Sequence, residues 1–447
     1  MGKLFGTDGV RGVANTELTP ELAFRLGRTA TAYFGRQSER PLLIVGRDTR
    51  ISGQMLEAAL SAGICSAGGE AVNVGVIPTP AVAYLARTLG AQAGVVISAS
   101  HNPYPDNGIK FFAGNGNKLP DAVEAEMEEL VLAEPDQLVR PSGDHVGTIK
   151  NRHDLSSAYI DHAVSTVKES FKGLKIVVDC ANGSAYEVAP VVLKRLGAEV
   201  VVLNHQPSGC NINRECGSTH LDGIKAAVIS HKADFGIAYD GDADRCLAVD
   251  EKGNVVDGDK IMCICALELM RQGKLKDNTL VATVMSNIGL HQAIKRMGGK
   301  SVVTGVGDRY VLEAMNANGY SLGGEQSGHI IFSEHCTTGD GIVTSLQLIA
   351  AIVKSGNKLS EMAALMTTFP QLLVNVRVGC KDGWQDNAAI CAAIRAAEDE
   401  LGENGRVLVR PSGTEPLIRV MAEGPEIDSL EQLVHQVADT IRKELKG

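Results

Sequence analysis

The sequence has no Cys-x-x-Cys pair, no Gly-x-x-x-x-Gly-Lys-Ser/Thr loop, no Gly-x-Ser-x-Gly elbow and no surplus of positive charge. Each absence removes a class of chemistry. The ten cysteines run scattered from Cys65 to Cys391, so they read as reduced and mostly buried, and Cys263 and Cys265, inside the apolar run IMCICALEL, read as packing rather than zinc ligands. Without the phosphate loop, nucleotide hydrolysis loses its usual fingerprint. Without the elbow, a serine hydrolase has no nucleophile on a sharp turn. Lys plus Arg (43) fall short of Asp plus Glu (53), for a net charge of −10. Such a surface repels polyanions, and no nucleic acid partner is expected. No apolar run approaches the ~18 residues of a membrane span. The start, MGKLFGTDGVRG, has no apolar signal stretch, and Gly6 stands where a myristoylation motif needs Ser or Thr. A cytoplasmic protein without a membrane anchor is the expectation.

What is present is a globular chain of 447 residues, 44% hydrophobic and 21% charged, long enough for about three domains at ~150 residues each. Three stretches open with a short β-branched run ending in a turn: LLIVGRDTR from 42, LKIVVDCANGS from 174 and TLVATVMSN from 279. Each is followed by a helix-like segment and a second strand-like run, which is a βαβ unit three times over. A third strand-like run follows in every case and leads into a polar loop: AGVVISASHNP, ADFGIAYDGDADR and YSLGGEQSGH. After Pro370 the pattern shifts to short strands and a closing helix with Leu430, Leu433, Val434, Val437 and Ile441 on one face. The fold class expected is α/β: three homologous mixed-sheet α/β domains (1–150, 151–250, 251–370) and a smaller C-terminal α+β domain (371–447). The stretch from Glu134 to Asp154 reads as a linker, and the turn-rich Asp250 to Asp259 as the start of the third domain. Ligand sites in such sheets lie beyond the carboxyl ends of strands, so the loops are expected to line one central cleft.

The loops carry chemistry. DGDADR places Asp240, Asp242 and Asp244 at alternating positions behind a strand. Carboxylates so close repel one another unless a cation lies among them, and an all-oxygen set suits Mg²⁺ or Ca²⁺. An EF-hand template also finds acids at its first, third, fifth and twelfth places, but Arg245 fills the position that needs Gly. Ser98, Ser100 and His101 follow an apolar strand, and Asn, Pro and Gly after them enforce an irregular loop. RPSGTEPLIR gathers Arg410, Ser412, Gly413, Thr414 and Arg419 about a turn, where backbone N–H groups, hydroxyls and guanidinium forks can surround a phosphate. GGEQSGH offers Glu325, Ser327 and His329, a donor and acceptor set suited to sugar hydroxyls.

In order and spacing, GTDGVRG, SASHNP, DGDADR, GGEQSGH and RPSGTEP together resemble the α-D-phosphohexomutase superfamily over essentially the whole chain. GDRYV at 307, with GGEQSGH, resembles its amino-sugar branch. Hexose-preferring members tend to carry a Thr-Gly-His motif there, and Asp308 puts a histidine acid/base at that position out of reach. The resemblance implies a reversible exchange of phosphate between the 6- and 1-oxygens of glucosamine, serving amino-sugar and cell-wall synthesis. It implies a phosphoserine at Ser100 and Mg²⁺ held by Ser100 with Asp240, Asp242 and Asp244. Arg11, Lys110 and Arg245 are the implied cations, the last two as a proton-handling pair, and His101 steadies the phosphoserine. Glu325, Ser327, His329, Arg410, Ser412, Gly413, Thr414 and Arg419 are the implied substrate contacts. Glucosamine or glucose 1,6-bisphosphate is the implied intermediate or activator. A small sugar phosphate is the implied partner, and a homodimer the assembly the family suggests.

Overall fold

The computed structural model describes residues 4–6, 8–381, 383–412 and 416–445. By its internal contacts the chain divides into two compact units, Met1–Met285 with Gly299–Leu365, and Ser286–Gly298 with Met366–Gly447.

The first unit holds three sheets built on one plan. In the first, Leu42–Arg47 lies between Glu70–Val76 and Ala93–Ile97, parallel to both. In the second, Lys175–Asp179 lies parallel between Glu199–Leu203 and Phe235–Tyr239. In the third, Thr279–Thr283 lies parallel between Lys300–Thr304 and Leu322–Gly324. The β-branched runs form these central strands because both faces are covered: Leu43, Ile44, Val45, Ile176, Val177, Val178, Leu280 and Val281 are all fully buried. The third strand of each set turns back through an antiparallel partner, Asp106–Ala113, Cys246–Asp250 or Ile330–Phe332. Each polar loop is therefore the apex of a hairpin. Helices Pro20–Phe34 and Gly53–Ser66 pack closely because Gly27 and Gly63 meet there. A Cβ on Gly27 would lie 2.2 Å from the Leu60 carbonyl oxygen.

Two stretches between the sheets are tied to them by pairing. The segment after Glu134 is not a free linker: Arg28, fully buried, pairs with Asp136 and donates to the Leu138 carbonyl, and Ile149–Asn151 adds a parallel strand to Glu70–Val76. Burying that guanidinium requires the partners that the segment brings. Likewise the turn after Asp250 closes a hairpin, with Val255–Val256 pairing back onto Cys246–Asp250, so it extends the second sheet.

The second unit carries an antiparallel sheet in the order Gln371–Arg377, Leu417–Glu423, Arg406–Pro411. Helix Ile427–Glu444 buries the expected face, Leu430, Leu433, Val434, Val437 and Ile441. Glu423, fully buried, is held by Arg406 and Gln371.

Candidate active site

Ser100 stands at the apex of the first hairpin with a left-handed φ of 51°, a conformation that L residues hold only when their surroundings enforce it. The enforcement is visible. Arg50, fully buried, forms an ion pair with Asp48 at 2.9 Å and donates to the carbonyls of Ser100, Asn102, Pro103 and Asp106. Asp48 accepts from Ser98 Oγ at 2.6 Å, and that hydroxyl in turn accepts from the Ser100 N–H at 3.0 Å. Asn213, from the second sheet's region, donates to the Ser100 and Asn102 carbonyls.

The aspartate loop closes on this serine. Ser100 Oγ donates to Asp240 Oδ2 at 2.6 Å. Gly241 permits the approach, because a Cβ there would lie 2.5 Å from the Ser100 carbonyl oxygen. Asp240, Asp242 and Asp244 each turn one oxygen inward, and these oxygens lie within 4.8 Å of one another. All three residues are buried. Burial and the neighbouring aspartates push the carboxyl of Asp240 well above the usual range, and burial with Asp242 raises that of Asp244. Burial raises Asp242 also, but Lys110 and the Thr79 hydroxyl outweigh it and leave its carboxyl low. Asp242 Oδ1 and Asp244 Oδ1 are buried without a hydrogen-bond partner among the described residues. Orphaned carboxylate oxygens in a triad of this spacing fit a hard divalent cation such as Mg²⁺.

Lysine and arginine side chains surround the triad. Lys110 Nζ, buried, lies 3.1 Å from Asp242 and 2.9 Å from Asp8. Despite burial, these carboxylates hold its proton more firmly than in water. Arg245 likewise keeps its charge against Asp244 and Asp240. Its Nη1 lies 3.2 Å from His101 Nδ1, which is 3.4 Å from Ser100 Oγ. Burial, Arg245 and Arg11 lower His101 to about 4, so at neutral pH the ring is uncharged and its Nδ1 accepts from Arg245. Arg11 pairs with Asp8.

The third loop joins the second through backbone. Arg245 and His329 form an antiparallel bridge, and the Cys246 N–H donates to the Gly328 carbonyl. His329 faces Asp308 at 3.4 Å and Asp244 at 3.9 Å. Glu325 accepts from the Gly307 N–H, and the Ser327 hydroxyl is buried without a partner among the described residues. A cavity of about 460 Å³ is lined by Asp8, Arg11, His101, Arg245, Glu325 and His329, among others.

In the second unit Arg410 and Arg419 sit directly opposite each other on paired strands. Like charges so placed repel, and burial with the Arg419 charge lowers the Arg410 guanidinium. Ser412 is buried beside them in sequence, its carbonyl accepting from Lys381 at 2.7 Å. The expected contacts Gly413 and Thr414 lie outside the described residues.

Four domain families match the chain in turn. They are the phosphoglucomutase/phosphomannomutase alpha/beta/alpha domains I (residues 2–137), II (157–253) and III (257–369), and the C-terminal domain (373–440). A phosphoglucosamine mutase of Symbiobacterium thermophilum is 57% identical over 448 residues, covering 100% of each chain. The chain belongs to the phosphoglucosamine mutase family. A second phosphoglucosamine mutase, from Moorella thermoacetica, is 58% identical over 97% of this chain and 98% of its own. The fold is that of solved phosphohexomutases. A phosphoglucomutase/phosphomannomutase family protein from Burkholderia thailandensis superposes with a TM-score of 0.82 at 24% identity, over 98% and 97% of the two chains. N-acetylphosphoglucosamine mutase of Aspergillus fumigatus, solved with GlcNAc-6P and magnesium, does so with a TM-score of 0.71 at 21% identity, over 99% and 96%.

Sequence reasoning toward this family missed Asp48, Arg50, Asn213, Thr79, Asp8 and Lys118. GRDTR at 46–50 reads as a strand ending in a turn, and the carbonyls and hydroxyl that Arg50 and Asp48 meet beyond each other lie 50 or more residues along the chain. Asp8 lies in GTDGVRG, three residues before Arg11, and that i, i+3 acid–base spacing is the local signal it offered.

Proposed function

We propose that this chain works as the phosphoglucosamine mutases it resembles are named, moving a phosphoryl group between the 6- and 1-oxygens of glucosamine phosphate by way of Ser100. The observation that carries the reading is the 2.6 Å contact of Ser100 Oγ with Asp240 inside a buried triad that has orphaned oxygens. In the working enzyme Ser100 carries a phosphoryl group. A free substrate hydroxyl oxygen forms a new P–O bond as the Oγ–P bond breaks, its proton ending on the departing Ser100 oxygen, and the product of that step is a sugar 1,6-bisphosphate. After the sugar reorients, the Ser100 oxygen takes back the other phosphoryl group, so the net change is an isomerisation. Asp240, Asp242 and Asp244, with the phosphorylated Ser100, would hold Mg²⁺, which supplies positive charge against the phosphoryl oxygens.

Charge sets the tasks of the other residues. Three aspartates and a phosphoserine bring about −3 and about −1.5 to −2, against +2 from the cation. Lys110, Arg245 and Arg11 supply the remainder. Because Lys110 and Arg245 are held in their charged forms, their contribution is stabilisation of the loose, anionic transition state by fixed charge, the main resource of phosphoryl transfer. His101, uncharged, receives Arg245 and fixes the guanidinium beside Ser100. Glu325, Ser327 and His329 orient the sugar. Arg410, Arg419 and Ser412 bind a phosphate of the substrate.

The test is product analysis with glucosamine 6-phosphate, Mg²⁺ and a trace of sugar bisphosphate. Formation of the 1-phosphate by the parent and its loss in Ser100→Ala is the expected result. Turnover by Ser100→Ala at the parent's rate, or release of free phosphate in place of the isomer, would overturn the reading.

A further inference from the structure

The cavity beside Ser100 is walled by four carboxylates, and three of them have evident work. Asp244 belongs to the metal triad. Asp8 meets three cations, Arg11, Lys110 and Lys118. Glu325 accepts the Gly307 N–H and lends its charge to Arg245. The fourth is Asp308, the first residue of helix Asp308–Asn318, which borders the same cavity. Its cationic partner is the ammonium of Lys118, which also spans to Asp8 at 3.0 Å, and the His329 ring lies 3.4 Å away. Asp308 remains a carboxylate, since Lys118 and His329 hold its carboxyl below the usual range against the effect of burial.

The arrangement is an ammonium group seated on a carboxylate at the wall of a sugar-sized cavity. Lys118 has a second carboxylate to turn to, Asp8 at 3.0 Å. We propose that Asp308 is the specificity-determining residue of the site: its carboxylate receives the 2-ammonium group of the substrate, and Lys118 holds that place in the empty enzyme. The inference rests on the mutase reading and extends it. When an amino sugar enters, one ammonium replaces another on Asp308 while Lys118 keeps its contact with Asp8. A neutral hexose offers a hydroxyl at the same carbon. It can donate one hydrogen bond, but it brings no charge, so it competes poorly with Lys118 for the carboxylate. One charge-assisted hydrogen bond against one neutral bond corresponds to a preference on the order of tenfold to a hundredfold. This assigns selectivity to the carboxylate at the head of the helix, while the Glu325 and Ser327 loop serves hydroxyls common to both sugars.

The experiment compares kcat/KM for glucosamine 6-phosphate and glucose 6-phosphate in the parent, Asp308→Asn and Asp308→Glu, with Mg²⁺ and a trace of sugar bisphosphate. Asn keeps the shape and removes the charge, and Glu restores the charge. The expected result is a fall of the amino-to-neutral ratio by about tenfold or more in Asp308→Asn, within the range of one charged hydrogen bond, and recovery of preference in Asp308→Glu. In the parent, kcat/KM for the amino sugar should also fall as rising pH deprotonates the substrate's amine, and Asp308→Asn should lose that fall. A ratio that stays within about twofold in an active Asp308→Asn enzyme would overturn the proposal. Absence of turnover by the parent with either sugar would instead remove the mutase reading and the proposal with it.

Discussion

Replacing Arg50 by Met tests whether Ser100 is held for chemistry or merely buried. In the parent this guanidinium makes an ion pair with Asp48, both side chains fully buried, and ties down four carbonyls of the Ser100 hairpin. Methionine fills much of the volume but leaves the Asp48 carboxylate with only the Ser98 hydroxyl and a backbone N–H as donors. Breaking a buried pair from one side costs about 3–5 kcal/mol of stability. Releasing the carbonyls lets the strained Ser100 relax away from Asp240, and a displacement of about 1 Å costs on the order of a hundredfold in rate, or about 2.7 kcal/mol in the barrier. The two losses are separable. Adding Asp48→Asn removes the stranded charge, so the double variant should regain most of the stability in urea unfolding followed by circular dichroism, while kcat stays low. A single variant with kcat within about threefold of the parent, or a double variant that regains rate along with stability, would refute the argument.

Three further outcomes follow from the same geometry. Exhaustive chelation should abolish turnover and Mg²⁺ restore it, because the orphaned oxygens of Asp242 and Asp244 then regain a partner; full activity after chelation would remove the aspartate loop from the chemistry. Arg410→Ala should raise KM more than it lowers kcat, since its guanidinium is assigned to binding; steady-state kinetics with KM unchanged would sink that assignment. His291 is half-buried, with neither ring nitrogen hydrogen-bonded among the described residues, and burial with Arg406 lowers it to about 4. An unfolded histidine takes its proton near 6.5, so this site's contribution to stability is intact above that pH and is lost as pH falls through about 4. His291→Gln should flatten stability against pH between those limits, and an unchanged slope by denaturant titration would remove His291 from the acid response.

Much of this was legible because the chain repeats itself. An apolar, β-branched run can be buried on both faces only as an inner strand, and three such runs at similar spacing located three sheets and three loop apexes. Ser98, Ser100, His101 and the three aspartates stood out for the same reason, as polar residues directly behind buried strands, whereas the choice of Ser100 among them came from the resemblance to a family. Arg50 was not, since nothing local to GRDTR tells a buried guanidinium from a solvated one. Its role depends on carbonyls around position 100 that only the closed fold supplies. Lys118 was hidden likewise: its partners Asp8 and Asp308 lie far from it in both directions. The stretch after Glu134 looked like a linker because its composition is that of one, whereas its attachment depends on one buried arginine from another helix.

The hairpin setting of the three loops restricts how such a site changes over time. Each loop joins a central-sheet strand to an antiparallel return strand that is buried along nearly its whole length on both faces. Adding or deleting one residue at an apex would shift the return strand by one position and exchange its two packed faces, so that every side chain met the wrong neighbours. Loop length is therefore locked by the core, whereas the identity of an apex residue is not. New substrates in this architecture are reached by exchanging side chains at fixed positions, and a variant library aimed at altered specificity should substitute at the apexes and leave their lengths alone.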